Sequence, residues 1–186
     1  MEQRVGFIVW LTGMSGAGKS TLSGLLRQRL ETERSIERLD GDEVRTWLSK
    51  GLTFSREDRE ENVRRIGYVA RLLAKHGVGV LTAAISPYRA SREEVRHLAT
   101  EAGIPFIEIY VQASLDALIA RDVKGLYKKA LAGEIQHFTG VSDPYEAPES
   151  PELVVHSDSE TVEASLGRIL DLLRARGLLG PTASAA

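Results

Sequence analysis

No cysteine occurs among the 186 residues. Disulfides, thiolate metal sites and a cysteine nucleophile are excluded, and a reducing compartment such as the cytoplasm is the expected location. An excess of one charge is missing as well: 24 basic against 26 acidic residues leave a formal net charge of −2. A chain so close to neutral has no bulk attraction to nucleic acid or to an anionic membrane. No apolar run approaches the roughly 20 residues needed to cross a bilayer. The early stretch FIVWL is too short for the apolar part of a signal peptide and reads as a buried strand. His76, His97, His137 and His156 are scattered at spacings that make no metal-ligand set. Internal repeats, low-complexity blocks and long linkers are absent too, and the length suits one compact domain.

What is present is alternation. Apolar runs bounded by turn residues fall at 7–11, 78–84 and 106–111, with a weaker one at 152–156 and a more polar strand candidate at 35–39. Between them Leu22, Leu25, Leu26 and Leu30 follow the spacing of one helix face, as do Val63, Ile66, Ala70 and Leu73, and Val162, Leu166, Ile169, Leu170 and Leu173. Ser55-x-x-Asp58 and Ser91-x-x-Glu94 resemble capping boxes at helix starts. Strands alternating with helices predict an α/β fold with a parallel sheet covered by helices on both faces. Residues 1–180 are expected to form a single domain. Residues 124–151, rich in charge, glycine and proline, are read as a lid insertion, and 181–186 as a disordered tail. Ligands of such sheets bind beyond the carboxyl ends of the strands, so 13–21, 40–45, 85–89 and 112–114 belong together.

The first of these segments, GMSGAGKST, fits G-x-x-x-x-G-K-[ST] between a strand and a helix. Gly13, Gly16 and Gly18 let the backbone turn its N–H groups toward phosphates, and the following helix adds positive charge at its N-terminus. Lys19 would reach the β- and γ-phosphates of a nucleotide, and Ser20 would ligate Mg²⁺.

The remaining segments each allow two readings. Asp40 can cap the next helix. Asp42 can accept a hydroxyl proton or hold a water on the metal, or can be a first-turn acid favoured by the helix dipole. Arg59 and Asn62, three apart on one helix face, suit an anionic, hydrogen-bonding ligand or a solvated face. Phe54 and Phe138 lie outside the strands and can sandwich a planar base or fill local apolar gaps. Pro87 biases Ser86 toward an extended backbone that would present its hydroxyl to the site, or the segment is a helix entry with an incidental serine. Arg121, Lys124, Lys128 and Lys129 lie near the lid, where cations can neutralise a transferring phosphoryl group, or, for Lys128 and Lys129 above all, are simply solvated.

Taken with FSREDREENVRR, ISPYR, RDVKGLYKKALAGEI and FTGVSDPYEAPESPELV, these segments closely resemble the adenylylsulfate kinase family, in family order from about residue 7 to 155. The resemblance implies a three-layer P-loop kinase fold with a lid, working as a homodimer in the cytoplasm. It implies transfer of the γ-phosphate of ATP, with Mg²⁺, to the 3′-hydroxyl of adenosine 5′-phosphosulfate (APS) in sulfate activation. By position, Gly13, Ser15, Gly16, Ala17, Gly18, Lys19, Ser20 and Thr21 hold ATP, with Arg121 near its base. Asp42, Arg45, Phe54, Arg59, Asn62, Ile85, Ser86, Lys124, His137 and Phe138 contact APS. Lys19, Asp42 and Ser86 are the catalytic positions, Ser86 as a phosphoserine intermediate in the family's pattern; Ser20 and Asp42 are the metal positions. Leu131 stands where many members carry arginine, and Gln136–His137 replaces the usual pair of a basic and a small residue. Two rival readings share the loop: a kinase for another small acceptor, such as a nucleoside monophosphate or gluconate, and a nucleotide-binding regulatory module without turnover.

Overall fold

The computed structural model describes residues 5–180, so the tail expected to be disordered lies outside the described residues. Strand β1 (Phe7–Thr12) is buried along its whole length. Its side chains alternate between two cores, as the pleat requires. Phe7, Val9 and Leu11 pack with Leu22, Leu26 and Leu30 of α1 (Lys19–Leu30) and Leu166, Ile169 and Leu173 of α7 (Val162–Ala175). Ile8 and Trp10 pack on the opposite face with Val63, Ile66 and Ala70 of α3 (Arg56–Lys75) and Val95 and Ala99 of α4 (Arg89–Glu101). This makes the three expected layers, with apolar helix stripes on both sides of the sheet.

The sheet runs β2-β3-β1-β4-β5, with β2 (Ile36–Asp40), β3 (Gly79–Ala83), β4 (Phe106–Gln112) and β5 (Leu153–His156), and every pair is parallel. All carboxyl ends therefore share one edge. The chain crosses from β1 to the edge strand β2, returns to β3 beside β1 and then passes to β4 and β5 on the other side, so the connections on the two sides of β1 diverge and the crevice lies at its end.

Short helices complete that edge: α2 (Gly41–Trp47), α5 (Leu115–Arg121) and α6 (Leu126–Leu131). Asp40 caps α2 by accepting the Asp42 N–H, and Ser55 caps α3 by accepting the Asp58 N–H, as expected. The second capping box is corrected. Helix α4 starts at Arg89, so Ser91 lies inside it and is buried. The Glu146 carboxylate accepts the Arg89 N–H instead, and a cap supplied from 57 residues away leaves Ser91 no such task.

The last part of the expected lid is fastened down. The Tyr145 hydroxyl bonds Thr12 Oγ1 at 2.9 Å, the Glu146 N–H donates to the Pro87 carbonyl at 2.8 Å, and Arg96 pairs with Glu152 at 2.6 Å. Arg92, fully buried, donates to the Glu108 carboxylate, the Ser86 carbonyl and the Glu146 carbonyl at 2.9, 2.6 and 2.6 Å.

Candidate active site

Residues 13–18 carry the chain from β1 into α1. A Cβ on Gly13 would lie 2.3 Å from the Val111 carbonyl oxygen, so only glycine fits that approach to β4. Gly18, with φ 101°, stands at the N-cap of α1 in the left-handed region. Helix α1 has no side-chain cap and no acid in its first turn. Each of the other described helices has one: Asp40, Ser55, Ser114 and Thr161 locally, Glu146 for α4, and Asp122, which takes the Tyr127 and Lys128 N–H groups, for α6. The N–H groups and positive dipole end of α1 are thus left for an anion.

Lys19 lies beneath this end. Its Nζ donates to the Gly13 and Met14 carbonyls, both at 2.8 Å, and the residue is buried. Burial pushes its pKa down to about 8, against the pull of Asp40 and Asp42 and with the repulsion of Lys124. Phosphate oxygens would offset that loss of solvation.

A cleft of about 410 Å³ opens from the loop toward α2, α3 and the segment 135–139. Of the predicted residues, Ser15, Gly16, Gly18, Lys19, Ser20, Thr21, Asp42, Arg45, Phe54, Arg59, Asn62, Ile85, Ser86, Lys124, His137 and Phe138 all line it. Gly13 and Ala17 are packed beneath the loop. Arg121 does not line the cleft; it donates to the Ser157 carbonyl at 2.5 Å, beyond β5.

The aromatic lining of the cleft is built around Phe54, which is 51 % exposed. The guanidiniums of Arg45 and Arg59 stand 4.4 and 5.2 Å from its ring centroid. The Asp58 carboxylate holds the Thr53 N–H at 2.7 Å, so the start of α3 fixes this loop. Arg59 is buried and donates to the Phe54 carbonyl at 2.9 Å and to the His137 carbonyl at 2.6 Å. It braces the two aromatic segments against each other, which spacing alone does not reveal. Burial, with Arg45 beside it, lowers the Arg59 pKa, and a bound anion would relieve both causes. Asn62 is buried with Oδ1 unpartnered. His137 adopts φ 57°, a left-handed backbone uncommon for residues other than glycine; its ring stands 3.3 Å from Asp143. Phe138 is buried and meets Tyr127 edge-on at 5.0 Å.

Asp42 projects from the first turn of α2, 78 % exposed, and its carboxylate pairs with Lys124 Nζ at 2.5 Å. No three His, Cys, Asp or Glu side chains gather as a metal site among the described residues. The donor set suits Mg²⁺ held mainly by phosphates and water, with the exposed Ser20 hydroxyl and the Asp42 carboxylate as the protein's share.

Ser86 departs from expectation. Its φ of 41° is not the extended backbone that Pro87 favours. The Trp10 indole N–H donates to Ser86 Oγ at 3.1 Å, Thr12 Oγ1 lies 3.0 Å away, and Arg92 takes the Ser86 carbonyl. These partners override the local bias and turn the buried hydroxyl into the sheet. The hydroxyl is engaged with Trp10 and Thr12, and no carboxylate or imidazole is among its hydrogen-bond partners in the described residues. Ser86→Ala is expected to keep turnover within about tenfold while lowering the melting temperature, because the indole N–H loses its acceptor. Activity per folded molecule and a thermal melt check this; loss of all activity with an unchanged melt would restore a covalent role.

Reading by position missed Tyr127, whose hydroxyl donates to the Ser15 carbonyl at 2.8 Å, and Arg92. The signal for Arg92 was Glu108, a lone charge within the apolar strand FIEIY that needs a buried cation.

A glycine-lined anion cradle with a buried lysine at the switch point of a parallel sheet defines a P-loop phosphotransferase. Residues 5–156 match the family model described as adenylylsulphate kinase. The chain is 73 % identical over 185 residues to the adenylyl-sulfate kinase of Myxococcus xanthus strain DK1622, with 100 % of both chains covered. It is similar to the structure of a Mycobacterium tuberculosis APS kinase in complex with AMPPNP and APS: TM-score 0.88, 42 % identity, 92 % of this chain and 99 % of that one. A hexameric APS kinase from Thiobacillus denitrificans matches at TM-score 0.72 and 37 % identity, over 96 % of this chain and 30 % of that one. The chain belongs to the adenylylsulphate kinase family.

Proposed function

We propose that the protein is an adenylyl-sulfate kinase, transferring the γ-phosphoryl group of MgATP to the 3′-hydroxyl of APS and giving ADP and 3′-phosphoadenylyl sulfate. The observation that carries this reading is the aromatic lining of the cleft: Phe54 and Phe138, braced by Arg59 and accompanied by Arg45 and Asn62, line the same cleft as the phosphate loop and Asp42. A planar base and an anionic group on the acceptor fit that lining. A gluconate acceptor needs no aromatic pair.

The acceptor lies against Phe54 and Phe138, with its 3′-hydroxyl toward the Asp42 carboxylate, which orients it and takes its proton. Lys19 and the N–H groups at the start of α1 hold the γ-phosphoryl oxygens and stabilise the charge that develops on them. Ser20 and Asp42 would hold Mg²⁺, which would supply charge neutralisation at the phosphates. Lys124, paired with Asp42, would reach the same oxygens on closure of the lid. Ser86 acts through its backbone, with Ile85, to shape the floor. The segment 124–143 closes over the acceptor, while the fastened stretch from Tyr145 to Glu152 serves as its fixed base. The active form is a homodimer in the cytoplasm; among the described residues no helix is long and apolar enough to cross a membrane.

ADP release measured with APS, AMP and gluconate as acceptors tests the reading. Only APS is expected to support turnover; equal rates with AMP or gluconate would refute it. Phe54→Ala is expected to raise KM for APS about tenfold, the size of a lost base-stacking contact, with KM for ATP nearly unchanged. Steady-state kinetics in both substrates check this, and equal effects on the two constants would remove the stacking role.

A further inference from the structure

We propose that Tyr127 is a positioning residue that couples the aromatic wall of the acceptor pocket to the ATP phosphate cradle by holding the Ser15–Gly16 peptide. The inference rests on the two-nucleotide reading of the cleft and adds to it a physical link between its halves.

Three contacts build the link. Tyr127, 2 % exposed, donates its hydroxyl to the Ser15 carbonyl at 2.8 Å, across 112 residues of sequence. The peptide is trans, so fixing the Ser15 carbonyl also fixes the Gly16 N–H on the opposite side of the same plane. Gly16 lines the cleft with φ 75°, a conformation whose freedom needs an external restraint. On its other side the Tyr127 ring carries Phe138 edge-on, with ring planes at 81°. A shift of Phe138 on acceptor binding therefore bears on the residue that orients a cradle N–H.

The placement of Tyr127 is itself built. The Asp122 carboxylate accepts the Tyr127 and Lys128 N–H groups, each at 3.0 Å, from a backbone with φ 24°, and Gly125 turns the chain with φ 64°. This accounts for the order of residues in DVKGLY: an acid to cap, a glycine to turn, and the tyrosine two positions later. Burial pushes the Tyr127 hydroxyl up to about 12, so it remains a donor throughout the working pH range.

Tyr127→Phe keeps the ring and removes the bond. Its MgATP dissociation constant, measured by titration calorimetry without acceptor, is expected to weaken about tenfold, as for a buried carbonyl left without its partner. The melting temperature should fall modestly, as for any lost partner of a carbonyl, and KM for APS should change less than the ATP constant. Phe138→Ala is expected to weaken MgATP binding in the parent protein but to add nothing in the Tyr127→Phe background, because the two act in series. Unchanged MgATP affinity in Tyr127→Phe, or additive effects in the double variant, would overturn the assignment. A parent protein that binds MgATP but leaves APS unphosphorylated would instead overturn the acceptor reading.

Discussion

Lys19→Ala should lower turnover by about a thousandfold or more, the largest loss expected of any single substitution here. Lys19 is the buried cation at the loop, bonded to the Gly13 and Met14 carbonyls, and no other lysine of the cleft stands beneath α1. Loss of folding would not explain the effect. Burial already disfavours the charged form, so removing the side chain removes a desolvated charge. The sign follows from linkage. With a folded pKa of about 8 against 10.5 unfolded, the native state binds fewer protons between those values. This group's contribution to stability therefore rises with pH through that window. A thermal melt of Lys19→Ala near pH 7 should match or exceed the parent, while an ADP-release assay shows almost no activity. Activity close to the parent would take the loop out of the chemistry.

The same lysine sets a pH signature. Phosphates bound at the loop favour its charged form, so ATP binding near pH 9 should draw a proton from buffer, and near pH 7 should draw almost none. Calorimetry in two buffers of different ionisation enthalpy reads this directly, and affinity should fall as pH rises past about 8. Proton uptake that survives in Lys19→Ala would assign the signature elsewhere.

Asp42→Asn is the second large effect. Turnover should drop by a hundredfold or more, on the order expected for a lost proton acceptor, while the MgATP dissociation constant rises by much less, because phosphates, water and Ser20 still hold the metal. Asparagine keeps the size of the side chain, and the backbone N–H that Asp40 accepts is untouched, so α2 keeps its cap. The complication is Lys124, which loses its ion-pair partner. Lys124→Ala separates the two roles. If Asp42 acts on the acceptor hydroxyl, Lys124→Ala is the milder variant. If Asp42 only holds Lys124, the two single variants and the double variant should all show the same loss. Unchanged kcat in Asp42→Asn would end the catalytic assignment.

The cradle was legible because its spacing encodes its geometry: a strand end, glycines where the backbone must turn or approach closely, then lysine and hydroxyl on the first helical turn. The layers were legible because apolar runs and 3.6-residue stripes are local signals; even the polar strand Ile36–Asp40 fell within a residue of expectation. What could not be read was set by distant partners. Ser86 takes its conformation from Trp10, Thr12 and Arg92, and the entry to α4 takes its cap from Glu146. Arg59 read as either a fork for an anionic ligand or part of a solvated face, yet it is buried and two of its N–H groups brace backbone carbonyls of separate segments. In each case the decisive atom belongs to a residue that no spacing rule connects.

The bare amino end of the first helix also bears on how the protein is handled. A terminus left open for phosphates is a local weakness whenever none is present, so inorganic phosphate or sulfate in a storage buffer should preserve the protein. The same ions would slow it in an assay by occupying the donor nucleotide's place, and preparations washed free of them would be both the most active and the shortest-lived.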